Sequence, residues 1–190
     1  MERVEGRPER GRQSEHLEGE PESLRDLIDR YLGWATILVD WQQRRDASIR
    51  ALAFPFAGYR PGQRPMAVEV YRTIRSGGQF IVEAATGIGK TMAAVFPAVK
   101  ALAEGLTSKI FYLTARTTAR SAAEKALAKL SRSGLHLKYL TLTAKDKICF
   151  NPENDCSGEG CDFARGYYDR LREALPEIFS RDAMDRPFIE

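Results

Sequence analysis

The chain has 190 residues, 43% of them hydrophobic and 29% charged, with 15 Gly and 9 Pro. These are globular proportions and exclude whole-chain disorder, a collagen repeat or a coiled coil. No apolar run approaches the roughly 20 residues of a membrane span, and the opening MERVEGRPERGR lacks the apolar stretch of a secretory signal. The expectation is a soluble, cytoplasmic protein with no membrane partner. Three cysteines, an odd number, argue against a disulfide scaffold. The net charge of +3 is uneven: four Arg face seven Glu in residues 1–23, leaving 25 basic against 19 acidic residues from Leu24 onward. That surplus suits a polyanionic partner.

Residues 1–22 contain only Met1, Val4 and Leu17 as large aliphatic groups and are expected to form a disordered leader. From Ser23, a candidate N-cap, apolar residues recur at helical spacing through Val39. This predicts one amphipathic helix from Leu24 to the Arg44-Arg45 pair or on to Leu52. The Pro- and Gly-punctuated run from Phe54 to Gly62 reads as a loop, and Gln63–Ile74 as a short helix ended by Ser76-Gly77-Gly78. Strand and helix then alternate: strand Gln79–Glu83, helix Gly89–Ala103, strand Lys109–Thr114, helix Thr118–Leu130, strand Leu137–Thr143. Helices of this length between strands predict right-handed crossovers and a parallel sheet. Pro97 is expected to kink or loosen its helix. Residues 144–166 hold all three Cys and no clear period; a helix follows around Tyr168–Phe179, interrupted or restarted at Pro176, with no closing element visible before Glu190.

Between the first strand and its helix lies Ala84-Ala85-Thr86-Gly87-Ile88-Gly89-Lys90-Thr91. It fits the phosphate-loop pattern G-x-x-x-x-G-K-[ST] except that Ala84 stands for the first Gly. Gly87 and Gly89 allow the backbone to aim N–H groups at phosphate oxygens, and the helix adds its positive end. Lys90 is the candidate cation for the β/γ phosphates and Thr91 the candidate Mg²⁺ ligand.

The A-x-T-G-x-G-K-T form resembles motif I of superfamily-two helicases. Those enzymes read adenine with a Gln upstream, and Arg60-Pro61-Gly62-Gln63 precedes Gly87 by the right order of distance; a Gln amide can donate to and accept from the adenine edge at once. Downstream, Thr114, Arg116, Thr117 and Thr118 resemble motif Ia, which implies sugar-phosphate contacts to single-stranded DNA without base specificity.

Cys149, Cys156 and Cys161 concentrate three thiols in a Gly-containing segment, suited to metal or cluster ligation. No C-x2-C pair is present and His16 and His136 fall in no ligand pattern, which ranks an iron–sulfur cluster above Zn²⁺. A Cys-rich insertion at this point resembles the XPD/DinG branch of superfamily-two DNA helicases. Trp41-Gln42, Arg44-Arg45-Asp46 and Phe54-Pro55-Phe56 match a similar run in related bacterial proteins. The resemblance implies a [4Fe-4S] cluster with these three Cys as ligands and a fourth from beyond Glu190.

The resulting expectation is an α/β chain, a partial RecA-like parallel-sheet P-loop domain with N-terminal helices and a Cys-containing insertion. Residues 1–22 would be the leader, 23–76 the helices and adenine loop, 77–144 the partial ATP-binding domain, and 145–190 the start of the cluster insertion. Because no apolar strand ends in Asp-Glu, the chain is expected to be the N-terminal part of a longer ATP-dependent DNA helicase, inactive alone, acting on single-stranded or forked DNA in repair or replication. Alternatives are a non-enzymatic Cys-ligated DNA-binding module and a small phosphate-loop phosphotransferase.

Overall fold

The computed structural model describes residues 23–115, 117–144, 147–151 and 160–184; the expected leader lies outside them. The chain divides into two compact units, Met1–Asp40 and Trp41–Glu190. The first helix, α1 (Leu24–Ala51), crosses the division.

Its start is a reciprocal cap. Ser23 Oγ accepts from the Asp26 amide at 3.2 Å, and Asp26 Oδ2 accepts from the Ser23 amide at 3.1 Å and from the Ser23 hydroxyl at 2.5 Å. The Ser23 hydroxyl, then the Ser23 amide, hold the Asp26 carboxyl below its ordinary pKa. Within the first unit, Leu24, Ile28, Tyr31 and Leu32 are exposed, so the apolar stripe read from the sequence is present but uncovered among the described residues.

In the second unit the core is mainly helical. Ile49 of α1 and Leu52 just beyond its end meet Met92, Val95, Val99 and Leu102 of α3 (Lys90–Ala103). Ala126 and Leu130 of α4 (Thr117–Arg132) and Leu135 and Leu137 beyond it complete the cluster. Two helix ends cap each other: Lys100 Nζ donates to the carbonyls of Ile49 (2.6 Å) and Arg50 (3.3 Å), while Arg50 Nη2 donates to that of Ala103 (3.3 Å). Burial of the Lys100 ammonium lowers its pKa, and Glu104 opposes the shift. Helix α2 (Gln63–Ser76) packs on α3, and the Tyr71 hydroxyl donates to Glu104 Oε2. Gly77, at φ +66°, ends α2 as the Ser-Gly-Gly signal predicts.

The sheet differs from the sequence expectation. Residues 79–83 and 109–114 are not strands. Ile81 is 94% and Leu113 89% exposed, and no ladder joins these segments among the described residues. A parallel strand needs hydrogen-bonding neighbours and helices over its faces; here the helices bury their apolar residues chiefly against one another, and the β-prone segments remain without partners. The third expected strand shortens to β1 (Tyr139–Leu140). It pairs in parallel with a strand not foreseen, β2 (Ala183–Met184), in the register Tyr139 to Ala183 and Leu140 to Met184. Two residues flanked by Asp and Arg carry no readable alternation, which is why β2 escaped the sequence.

Helix α5 (Tyr167–Ser180) delivers the chain to β2 and runs unbroken through Pro176, as α3 does through Pro97. Lys138 anchors the return. Its ammonium donates to the carbonyls of Phe179 and Arg181 (2.7 Å for the latter) and lies 5.8 Å from the Trp41 ring and 5.2 Å from the Phe179 ring. Burial lowers its pKa, with Asp182 opposing and Arg44 adding to the shift. His136 Nδ1 lies 3.3 Å from Asp182 Oδ2 beside it.

Candidate functional site

The loop from Ala84 to Gly89 turns into α3 through two glycines in the left-handed region, Gly87 at φ +86° and Gly89 at φ +85°. Only glycine adopts these angles without strain. Gly89 is the residue before Lys90, the first of α3, so the loop sits on the helix N-terminus. Lys90 folds back over the loop, its Nζ donating to the carbonyls of Ala84 (2.9 Å) and Ala85 (2.8 Å). Thr91 is half-buried in the first turn, whereas Thr86 is exposed and Ile88 half-buried.

The turn before α2 reaches this loop across 26 residues of sequence. Gln63 is 4% exposed. Its Nε2 donates to the Gly89 carbonyl at 3.2 Å and its Oε1 accepts from the Arg60 amide at 3.1 Å. Arg60 Nη1 donates to the Gly87 carbonyl. Gln63, read from the sequence as an adenine reader, thus has both ends of its amide engaged by protein in this structure. A Cβ on Gly89 would meet Gln63 Nε2 closer than real Cβ contacts come, so it would displace the Gln63 amide as well as strain its own backbone.

A cavity of about 390 Å³ opens beside the loop, walled by Pro65, Met66 and Glu69 of α2, by Phe80 and Val82, and by Ala84, Ala85 and Ile88. It lies in the size range of small-molecule sites and is mostly apolar. An aromatic cluster with no role foreseen from the sequence precedes the Arg60 turn. Tyr59 stacks on Phe54 with centroids 3.9 Å apart, Phe54 meets Phe96 of α3 edge-on at 5.4 Å, and the Lys129 ammonium lies 4.7 Å from the Phe56 ring. Its sequence signal is the F-x-F-x2-Y spacing ahead of the Arg60–Gln63 turn.

Of the expected strand-contacting set, Thr114 is described and exposed. Arg116 and the side chains of Thr117 and Thr118 lie outside the described residues, although Thr117 and Thr118 open α4 as expected. Of the cysteines, Cys149 is half-buried and Cys161 buried, and Cys156 lies outside the described residues. No group of three metal-ligating side chains occurs among the described residues. As donors the two described thiols suit a soft metal ion, and one of them is buried and the other half-buried. Their segments also meet through Phe150 and Phe163.

Residues 64–175, more than half of the chain, match the DEAD/DEAH box helicase family. The chain belongs to this family. Its helix-rich α/β structure with a small parallel sheet fits a RecA-like domain, and the family implies ATP-dependent helicase-type function, use of ATP and Mg²⁺, and nucleic-acid binding. No curated protein and no solved structure matches the chain. Among the described residues no helix is long and apolar enough to cross a membrane.

Proposed function

We propose that this chain is the ATP-binding part of a DNA helicase of the XPD/DinG type, working on single-stranded or forked DNA in repair or replication. The observation that carries the nucleotide half is the loop over the α3 N-terminus, tied to the preceding turn by Arg60 and Gln63. Lys90 holds two carbonyls with bonds that phosphate oxygens can take over, and Thr91 is the Mg²⁺ ligand. Arg60 and Gln63 couple the base side of the site to Gly87 and Gly89. Backbone amides of Ala84–Gly89 cradle the phosphates, and Thr114, Arg116, Thr117 and Thr118 grip the sugar-phosphate strand. Residues 77–144 form the nucleotide unit and 145–190 the Cys-bearing insertion.

Cys149, Cys156 and Cys161 would hold a [4Fe-4S] cluster, whose thiolate–iron bonds supply the organisation that a segment without an apolar core lacks. Anaerobic reconstitution with ferrous iron and sulfide, followed by iron analysis, separates this from Zn²⁺ ligation. Binding of a fluorescent ATP analogue, with Lys90→Ala as control, tests the nucleotide site. Competition between single-stranded DNA and RNA of one sequence tests the polymer. Equal nucleotide binding by Lys90→Ala, or preference for RNA, overturns the corresponding part.

A further inference from the structure

Three features in the Cys segment act without any metal. Cys161 opens a tight turn, its carbonyl accepting from the amides of Ala164 and Arg165 at 3.0 Å each, and its side chain is buried. Arg170, on the first turn of α5, reaches back over that turn: Nη2 donates to the Phe163 carbonyl at 2.6 Å and Nη1 to the Arg165 carbonyl at 2.5 Å. Gly166 joins turn to helix at φ +65°, and a Cβ there would stand 3.3 Å from Arg170 Nη1, so the glycine also leaves room for the guanidinium.

The third feature reaches the other cysteine. Phe150, which directly follows Cys149, has its ring centroid 5.7 Å from that of Phe163, with planes tilted by 36°. Phe150 is 67% and Phe163 53% exposed, so burial in the main core does not bring them together. An aromatic pair of this geometry adds quadrupole attraction to the area it covers. The ring contact closes a loop that begins one residue after Cys149 and ends two residues after Cys161, and closing that loop costs conformational entropy.

We propose that Arg170 and the Phe150–Phe163 pair are positioning residues for thiolate ligation. Arg170 fixes the Cys161 turn, and the rings carry the Cys149 segment to it before a metal arrives. Thiolates carried on a backbone that is already ordered would capture a metal ion at a lower entropic cost. The proposal rests on the thiolate-ligation reading above and deepens it. No signal for Arg170 exists in the sequence, because its partners are backbone carbonyls.

The test uses the full chain free of metal, in wild-type form and as Arg170→Ala, Phe163→Ala, Phe163→Leu and Phe150→Ala, each checked for unchanged helical content. Iodoacetamide labelling read peptide by peptide gives the protection of Cys161 relative to Cys149. Arg170→Ala and Phe163→Ala should abolish Cys161 protection, whereas Phe150→Ala should leave the Cys161 turn protected and Phe163→Leu should retain part of it. Reconstitution with ferrous iron and sulfide should then show apparent iron affinity falling about 10-fold or more in Arg170→Ala and in Phe150→Ala, the usual scale for removing a residue that orients a ligand. Iron uptake equal to wild type in both variants, with labelling unchanged, overturns the proposal and leaves the ligation reading standing. Failure of the wild type to take up iron or zinc while Arg170→Ala still unmasks Cys161 overturns the ligation reading, and with it the proposed purpose of an intact turn.

Discussion

The Ala84–Gly89 loop and the cysteine segment are held by opposite means. The loop joins two helices, one of which lies in the packed core, and its side-chain bonds to Arg60 and Gln63 span 26 or 27 residues of sequence. The cysteine segment has Cys161 as its buried hydrophobic residue among the described positions and is fastened by Arg170 to carbonyls five and seven residues away. A motif seated on a scaffold can be recognised from residue types, because the scaffold supplies the geometry. A segment without a scaffold depends on small local clasps, which leave little trace in composition.

The largest expected effect tests the first half of that contrast. On the proposed role of Lys90 as the cation for the phosphates, Lys90→Ala should lower binding of a fluorescent ATP analogue about 100-fold, while Cys161 labelling stays unchanged. A change in labelling would show that the two regions are coupled rather than independent. Next is Leu130→Ala in the shared helical core, where Leu130 is fully buried. The loss should be about 2–5 kcal/mol by chemical denaturation, with the protected Cys161 turn surviving in conditions where the mutant remains folded.

Gly89→Ala sharpens the view that the loop and the Gln63 turn are one assembly. Left-handed backbone costs a non-glycine residue about 1–2 kcal/mol, and the new Cβ collides with Gln63. Nucleotide affinity should fall about tenfold, the equivalent of 1.4 kcal/mol. Adding Gln63→Ala should recover part of the loss but not all, because the backbone strain remains. The smallest effect lies at the Ser23–Asp26 cap. Asp26 has a lowered pKa in the fold, so its contribution is present above the ordinary carboxylate pKa and is lost as pH falls through the folded value. Acidification, or Ser23→Ala, should fray the first turn of α1 in hydrogen exchange without altering nucleotide affinity.

The helices were largely legible, apart from the end of α1 and the continuity of α5 through Pro176. Ser23 and the apolar spacing placed α1, Gly77 ended α2, and the glycines before Lys90 started α3. The strands were not, although Phe80-Ile81-Val82 and Ile110–Leu113 have strong β propensity. Propensity gives an extended backbone, but a strand exists only where another segment offers a ladder, and Tyr139–Leu140 found one in Ala183–Met184. At the loop, the turn through Gly87 and Gly89 and the place of Lys90 at the head of α3 were legible from spacing alone, whereas the engagement of both ends of the Gln63 amide was not, since it depends on how close α2 lies to the loop.

The sequence by itself determined that a glycine turn ending in Lys-Thr stands at the head of a helix and that three Cys follow it along the chain, because residue type and spacing decide both. Only the tertiary structure decided that Arg60 and Gln63 grip Gly87 and Gly89, that Lys100 and Arg50 cap each other's helices, and that Arg170 locks the Cys161 turn. Each of these is a bond to a backbone carbonyl, and since every residue carries one, only the fold can say which of them a side chain will reach.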